Sequence, residues 1–263
     1  MVRFLRSLLT LGLLGALCAP AYAAASCTAA APRHVAALPH GRLNACVVRK
    51  GRIVVEMTYY QNASKVGGTA LAAYPEMRVR YGIARNIELS FIPPSEIAKS
   101  NLAGRGTYMM TKPGFGVKLA LGRWRGADLS VAADYRPPMN PLANTLLVPS
   151  SAVHVDATWS PAVRALLNAE VGILNYSMRD GRHGSSFLEA VGFTMPLNRK
   201  TAISFDLGTQ LKSACGAGAQ NTGVLGLTRM LGAHLLGTFE IGTAFNPSGG
   251  SKAHYIAFAF SSR

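Results

Sequence analysis

The chain has 263 residues, with 27 Lys and Arg against 12 Asp and Glu, a formal charge of +15 and 49% hydrophobic residues. So apolar a composition excludes a disordered acidic or solvating chain. A nucleic-acid binder is the competing reading of the charge, but the basic residues are scattered rather than gathered in one stripe.

The N-terminus carries the three parts of a signal peptide. Arg3 and Arg6 form a basic n-region, an apolar run from Leu8 to Leu17 follows, and Ala21-Tyr22-Ala23 is an A-x-A cleavage site. Residues 1–23 are therefore expected to be removed, which takes two arginines and leaves about +13. The apolar run is too short for a membrane-spanning helix, which needs about 20 residues. Export also counts against a nucleic-acid partner.

Residues 24–51 read as a periplasmic segment ahead of the first strand. Cys27 and Cys46 both lie in it, in an oxidising compartment where a disulfide persists, and we expect them to pair. A lipid-modified Cys27 is the alternative. Cys215 is then the odd cysteine, within a Gly-rich stretch, and no spacing resembles a metal site.

From residue 52 onward, short segments alternate apolar and polar residues, the period that gives a strand one face of each kind. Ile53, Val55, Met57 and Tyr59 oppose Glu56 and Thr58; Met77, Val79 and Tyr81 oppose Glu76, Arg78 and Arg80. After a tight turn at Ala84-Arg85, residues 86–92 set Ile87, Leu89 and Phe91 against Glu88 and Ser90, and Pro93-Pro94 is expected to end the strand. A long loop over 95–112 leads to a strand over 114–121, a turn over 122–126 and a strand over 127–135. A proline-rich loop over 136–150 precedes strands over 151–160 and 164–176, with a turn at Pro161-Ala162. Further strands are expected over 185–195, 200–210, 221–229, 234–245 and 253–260.

Connections alternate long and short, with the short ones at one end. A closed up-and-down barrel in an outer membrane sorts its connections this way, short at the periplasm and long outside. The expected fold is thus all-β: a closed antiparallel transmembrane barrel of about twelve strands over 52–263, both ends in the periplasm. The lipid face would carry Ile53, Val55, Leu89, Val131, Val155, Ile173, Phe205 and Phe258. Glu189 breaks the pattern by sharing a face with Phe187, Val191 and Phe193; either one face is misassigned there or the charge sits near a rim. Ile256, Phe258 and Phe260 form the aromatic-ended C-terminal signal read by the barrel-assembly machinery. Exposed Lys and Arg suit the anionic lipopolysaccharide of a Gram-negative outer membrane.

The lumen would be lined by Glu56, Glu76, Arg78, Arg80, Glu88, Lys118, Asp128, Asp134, His154, Asp156, Glu170, Asp206 and Glu240. Charges of both signs on neighbouring strands are expected to pair across the interior. They form either a structural network or a polar constriction. A lipid-modifying enzyme would need a serine held by a histidine. His154 with Asp134 is the nearest candidate, but no serine beside it stands out, so no catalytic residue or cofactor is assigned.

The run Arg80-Tyr81-Gly82-Ile83-Ala84-Arg85-Asn86-Ile87-Glu88-Leu89, with Gly114-Phe115-Gly116-Val117-Lys118-Leu119, resembles the outer-membrane family of transporters assigned to the MetA pathway of phenol degradation. The likeness extends loosely over residues 66–260. The family's usual acidic residue after the glycine pair is Val117 here. The resemblance implies a small barrel for uptake of apolar or aromatic compounds. A structural or surface-interaction barrel with a filled lumen is the rival reading. The apolar residues Leu102, Tyr108, Met109, Met110, Met139, Leu142, Leu146 and Leu147 in the two longest loops suggest an antechamber or lid over the mouth.

Overall fold

A computed structural model describes residues 45–64, 70–100, 106–137, 150–162, 165–177, 183–198, 200–210, 220–232, 235–245 and 252–262. The leader, Cys27, Cys215, Leu102, Met139, Leu142, Leu146 and Leu147 lie outside these. Fourteen strand segments form one sheet. They are β1 (Ile53–Ser64), β2 (Ala70–Gly82), β3 (Ile87–Ile92), β4 (Glu96–Ser100), β5 (Gly106–Met110), β6 (Gly114–Trp124), β7 (Ala127–Tyr135) and β8 (Ser151–Ala162). They continue as β9 (Ala165–Ser177), β10 (His183–Pro196), β11 (Thr201–Gln210), β12 (Gln220–Met230), β13 (Leu235–Phe245) and β14 (Lys252–Ser262).

All pairings between the strands are antiparallel, and β1 pairs with both β14 and β2, so the sheet closes on itself. The segments make twelve barrel strands, because β3 and β4 are one strand interrupted at Pro93-Pro94, and β5 and β6 are one interrupted at 111–113. β2 shows this directly, pairing through Val79–Gly82 with β3 and through Ala70–Ala73 with β4. The expected loop over 95–112 is thus mostly wall. Prolines that cannot donate break the ladder locally, but Ser95 and Thr111 bridge the gap, with Ser95 N–H donating to Thr111 Oγ1 at 2.8 Å and Thr111 N–H to Ser95 O at 2.8 Å. Tyr108, Met109 and Met110 lie on β5 rather than in a lid, and Met110 is exposed.

Two turns are tighter than the sequence suggests. β6 runs on to Trp124 through an irregularity between Ala120 and Gly122, leaving Arg125 (φ 47°) and Gly126 (φ 85°) as the link to β7. Two positive φ values in a two-residue loop give the turn whose twist matches the flanking strands. Likewise β8 continues through Pro161-Ala162, which is strand rather than turn, with a register shift between Trp159 and Ala162.

Side chains alternate across the wall. Ile53, Leu89, Val155, Ile173, Phe205 and Phe258 are exposed on the outside, and Val55 and Val131 share their phase with partial exposure. The outer face carries cross-strand aromatic pairs, Phe91 with Phe115 at 5.3 Å and Phe239 with Phe258 at 5.1 Å between ring centroids. Trp124 and Trp159 stand exposed near the periplasmic turns, where amphipathic rings suit the headgroup level. Glu189 does face outward. It is in register with Thr209, and Thr209 with Asn221, one residue from the outer ends of β11 and β12. The charge therefore opens a polar row running to the outer rim, and the face assignment of β10 stands.

This exterior meets lipid, where charge at mid-depth costs about 2–4 kcal/mol. Val155→Arg and Phe205→Arg are each expected to lower folding free energy by that amount in urea titrations of vesicle-inserted protein. Arginine at the outward but rim-proximal Thr209 should cost about 0–1 kcal/mol.

Candidate functional site

The interior is built from the opposite faces of the same strands. Every one of the thirteen charged or imidazole side chains expected in the lumen is on the inward phase. Glu56, Arg80, Glu88, Lys118, His154, Asp156, Glu170, Asp206 and Glu240 are buried, while Glu76, Arg78, Asp128 and Asp134 are partly exposed.

Arg80 is the centre of the periplasmic half. Its guanidinium forks onto Glu88, Nε donating to Oε1 at 2.6 Å and Nη2 to Oε2 at 2.8 Å, while Nη1 donates to Glu56 Oε1 at 2.8 Å. A planar fork on a carboxylate is the geometry that arginine supplies and lysine does not. Glu88 lies directly opposite Lys118 across β3 and β6. Lys118 Nζ in turn reaches Asp156 Oδ2 at 3.2 Å, and Ser130 Oγ donates to the same oxygen at 3.1 Å. Ion pairs, linked by the Glu88–Lys118 register, thus span β1, β2, β3, β6 and β8.

Towards the outer mouth the pairs are looser and wetter. Arg78 Nη2 is 3.9 Å from Asp134 Oδ2, and Arg136 Nη2 is 3.2 Å from Glu76 Oε1. At the periplasmic rim, exposed Arg123 meets Asp128 at 3.2 Å.

Sequence reasoning missed what lies across the bore. Residues 45–48, ahead of β1, are inside the barrel: Ala45, Val47 and Val48 are 2%, 1% and 2% exposed. Val48 N–H donates to Glu88 Oε2 at 2.8 Å, and Ala45 N–H to Thr158 Oγ1 at 3.0 Å, whose hydroxyl donates to Asn168 Oδ1 at 2.9 Å. The segment therefore crosses from β3 to β8. Gly82 lets it approach: a Cβ there would stand 2.4 Å from Val48 O and 2.2 Å from Arg49 O. The pair Val47-Val48, apolar and just before the first strand, was the available signal. Arg136, which pairs with Glu76, was missed because it sits in a loop with no periodicity.

Cys46, within this segment, is disulfide-bonded. His154 and Asp134, a pair that sequence reasoning leaves without a catalytic assignment, are not joined by a hydrogen bond or ion pair among the described residues. Ser130 donates to Asp156, His154 Nε2 has no hydrogen-bond partner, and Asp134 pairs with Arg78.

Removing one partner of a buried ionic group leaves the others uncompensated, at about 3–5 kcal/mol. Arg80→Met is expected to destabilise by that much in urea titration. Adding Glu56→Gln and Glu88→Gln to it should restore most of the loss, which a role for Arg80 in simple packing would not allow.

No family model and no curated protein matches the chain. Among solved structures, the barrel is similar to a COG4313 outer membrane channel from Pseudomonas putida F1, with a TM-score of 0.62, 12% identity and coverage of 80% of this chain and 94% of that one. It is also similar to the CymD monoaromatic hydrocarbon channel, with a TM-score of 0.51, 5% identity and coverage of 82% and 89%, and to the NanC porin, with a TM-score of 0.50, 7% identity and coverage of 79% and 99%. At these identities the likeness is one of fold: the chain has the closed twelve-stranded architecture of an outer-membrane barrel.

Proposed function

We propose that the protein is an outer-membrane channel or uptake protein for small apolar or aromatic compounds. The observation that carries this reading is a closed wall with an apolar exterior around a lumen lined by charged side chains, more exposed towards the outer mouth at Glu76, Arg78 and Asp134. The CymD and COG4313 channels, which share the fold, support a channel role. The likeness at Arg80–Leu89 and Gly114–Leu119 to the MetA-pathway transporter family supports an apolar or aromatic solute. In this reading the thirteen lumen residues form the polar constriction. A Cys27–Cys46 disulfide ties the start of the 24–51 segment to its own bore-crossing part, after a leader ending near residue 23. Phe260, two residues before the end of β14, belongs to the signal that the assembly machinery reads, and the rim faces lipopolysaccharide.

A second reading, a barrel with a structurally filled lumen, is favoured by one specific observation. Val47 and Val48 are almost wholly buried across the bore, beside the Arg80 group, whose Glu88 accepts from Val48 N–H.

Uptake into proteoliposomes separates the two. The channel reading expects benzoate or toluene to enter faster than through empty liposomes and faster than maltose. It also expects a variant lacking residues 24–48 to conduct more than the full chain. If neither solute enters faster than through empty liposomes with either protein, the filled-barrel reading takes its place. Non-reducing peptide mapping should recover Cys27 joined to Cys46; a lipid-modified Cys27 would replace that bond.

A further inference from the structure

Asp156 on β8 and Glu170 on β9 are direct register partners, both facing the lumen and 0% and 4% exposed. Like charges opposite one another on one face of an antiparallel pair repel, and burial removes the water that would screen them. His154 lies two residues along β8 on the same face, opposite Gly172. That glycine makes room for it, since a Cβ there would stand 2.8 Å from His154 Cβ.

The three side chains offer one imidazole nitrogen and two carboxylate oxygens, all within 4.8 Å of one another. Two of the groups are only partly used. His154 Nε2 and Asp156 Oδ1 are buried without a hydrogen-bond partner, although His154 Nε2 stands 4.0 Å from Asp156 Oδ2. Lys118 and Ser130 both engage Oδ2 and leave Oδ1 aside.

We propose that His154, Asp156 and Glu170 form a binding site for a divalent transition-metal cation. An imidazole beside carboxylates suits zinc or manganese, whereas calcium and magnesium take all-oxygen sets. Three protein donors leave a coordination position for lumen water. Sequence spacing hides the set because its members come from two neighbouring strands.

The test is metal content, which does not depend on whether the barrel conducts. Tag-free full-length protein, folded in detergent and stripped with chelator, is equilibrated with zinc, washed and analysed by mass spectrometry. The full chain should retain about one equivalent, and His154→Ala and Glu170→Gln, checked for folding by heat-modifiable gel migration, should bind about 10–100-fold more weakly. Excess calcium should not displace the zinc. Should the variants fail to fold, cobalt bound to the unaltered protein should give visible bands of nitrogen–oxygen ligation that zinc erases. Trace metal only in the unaltered protein, or equal retention in a folded His154→Ala, would overturn the proposal, the latter by assigning the ion to other histidines such as His183 or His254.

Discussion

The constraint on which everything else rests is that a chain in lipid can leave no backbone donor or acceptor unpaired. Closure answers it. β1 pairs along its length with β14, from Val55–Ser262 to Ser64–Ala253, and on its other edge with β2. Once the ring is closed, the pleat alone decides where each side chain goes, out to lipid or into the bore. The interruptions confirm how strict the demand is. Where Pro93-Pro94 breaks the ladder, the wall resumes as β4 and β5, and Ser95 and Thr111 take over the bonding between them.

Closure also forces the charges together. An inward acid on one strand has its neighbours' inward residues within reach and little water, so partners are found inside the ring or the charge is costly. Arg80 meets that demand for Glu56 and Glu88, and Lys118 extends it to Asp156. The same network supplies an acceptor to the backbone of the segment before β1, through Glu88 and Val48. Ion pairing in the wall and occupancy of the bore are therefore one arrangement: the carboxylate that holds Arg80 also holds the chain crossing the lumen.

Most of the wall was legible because its signal is local. Period two assigned the faces of Ile53, Leu89, Phe205 and Phe258, and all thirteen inward residues, without knowledge of which strands touch. What escaped depends on pairing. Pro93-Pro94 reads as a stop, yet neighbouring strands carry the ladder past it, so 96–100 and 106–110 became wall. Glu189 looked anomalous until its register with Thr209 and Asn221 placed it on a row to the rim. The direct opposition of Asp156 and Glu170 needs the β8–β9 register, which alternation does not specify. Residues 45–48 have no periodicity at all, and their burial follows from one close approach over Gly82.

The interior is also polarised around its circumference, and this bears on what passes. Inward bases stand on β2 and β6, as Arg78, Arg80 and Lys118, among the inward acids Glu56, Glu76, Glu88, Asp128, Asp134 and Asp156 of β1 to β8, whereas the described inward residues of β9 to β13 include Glu170, Asp206 and Glu240 and no lysine or arginine. Low-dielectric walls concentrate such a field across the bore. The bases on β2 and β6 are engaged by carboxylates, Arg80 by Glu56 and Glu88 and Lys118 by Asp156, so that side of the bore is lined by ion pairs. A neutral apolar molecule gains nothing from the field and must instead displace water from charged groups, which is unfavourable. Selection of apolar solutes therefore does not arise at this ring. Under the proposed channel reading, discrimination among apolar solutes would then belong to surfaces nearer the outer mouth.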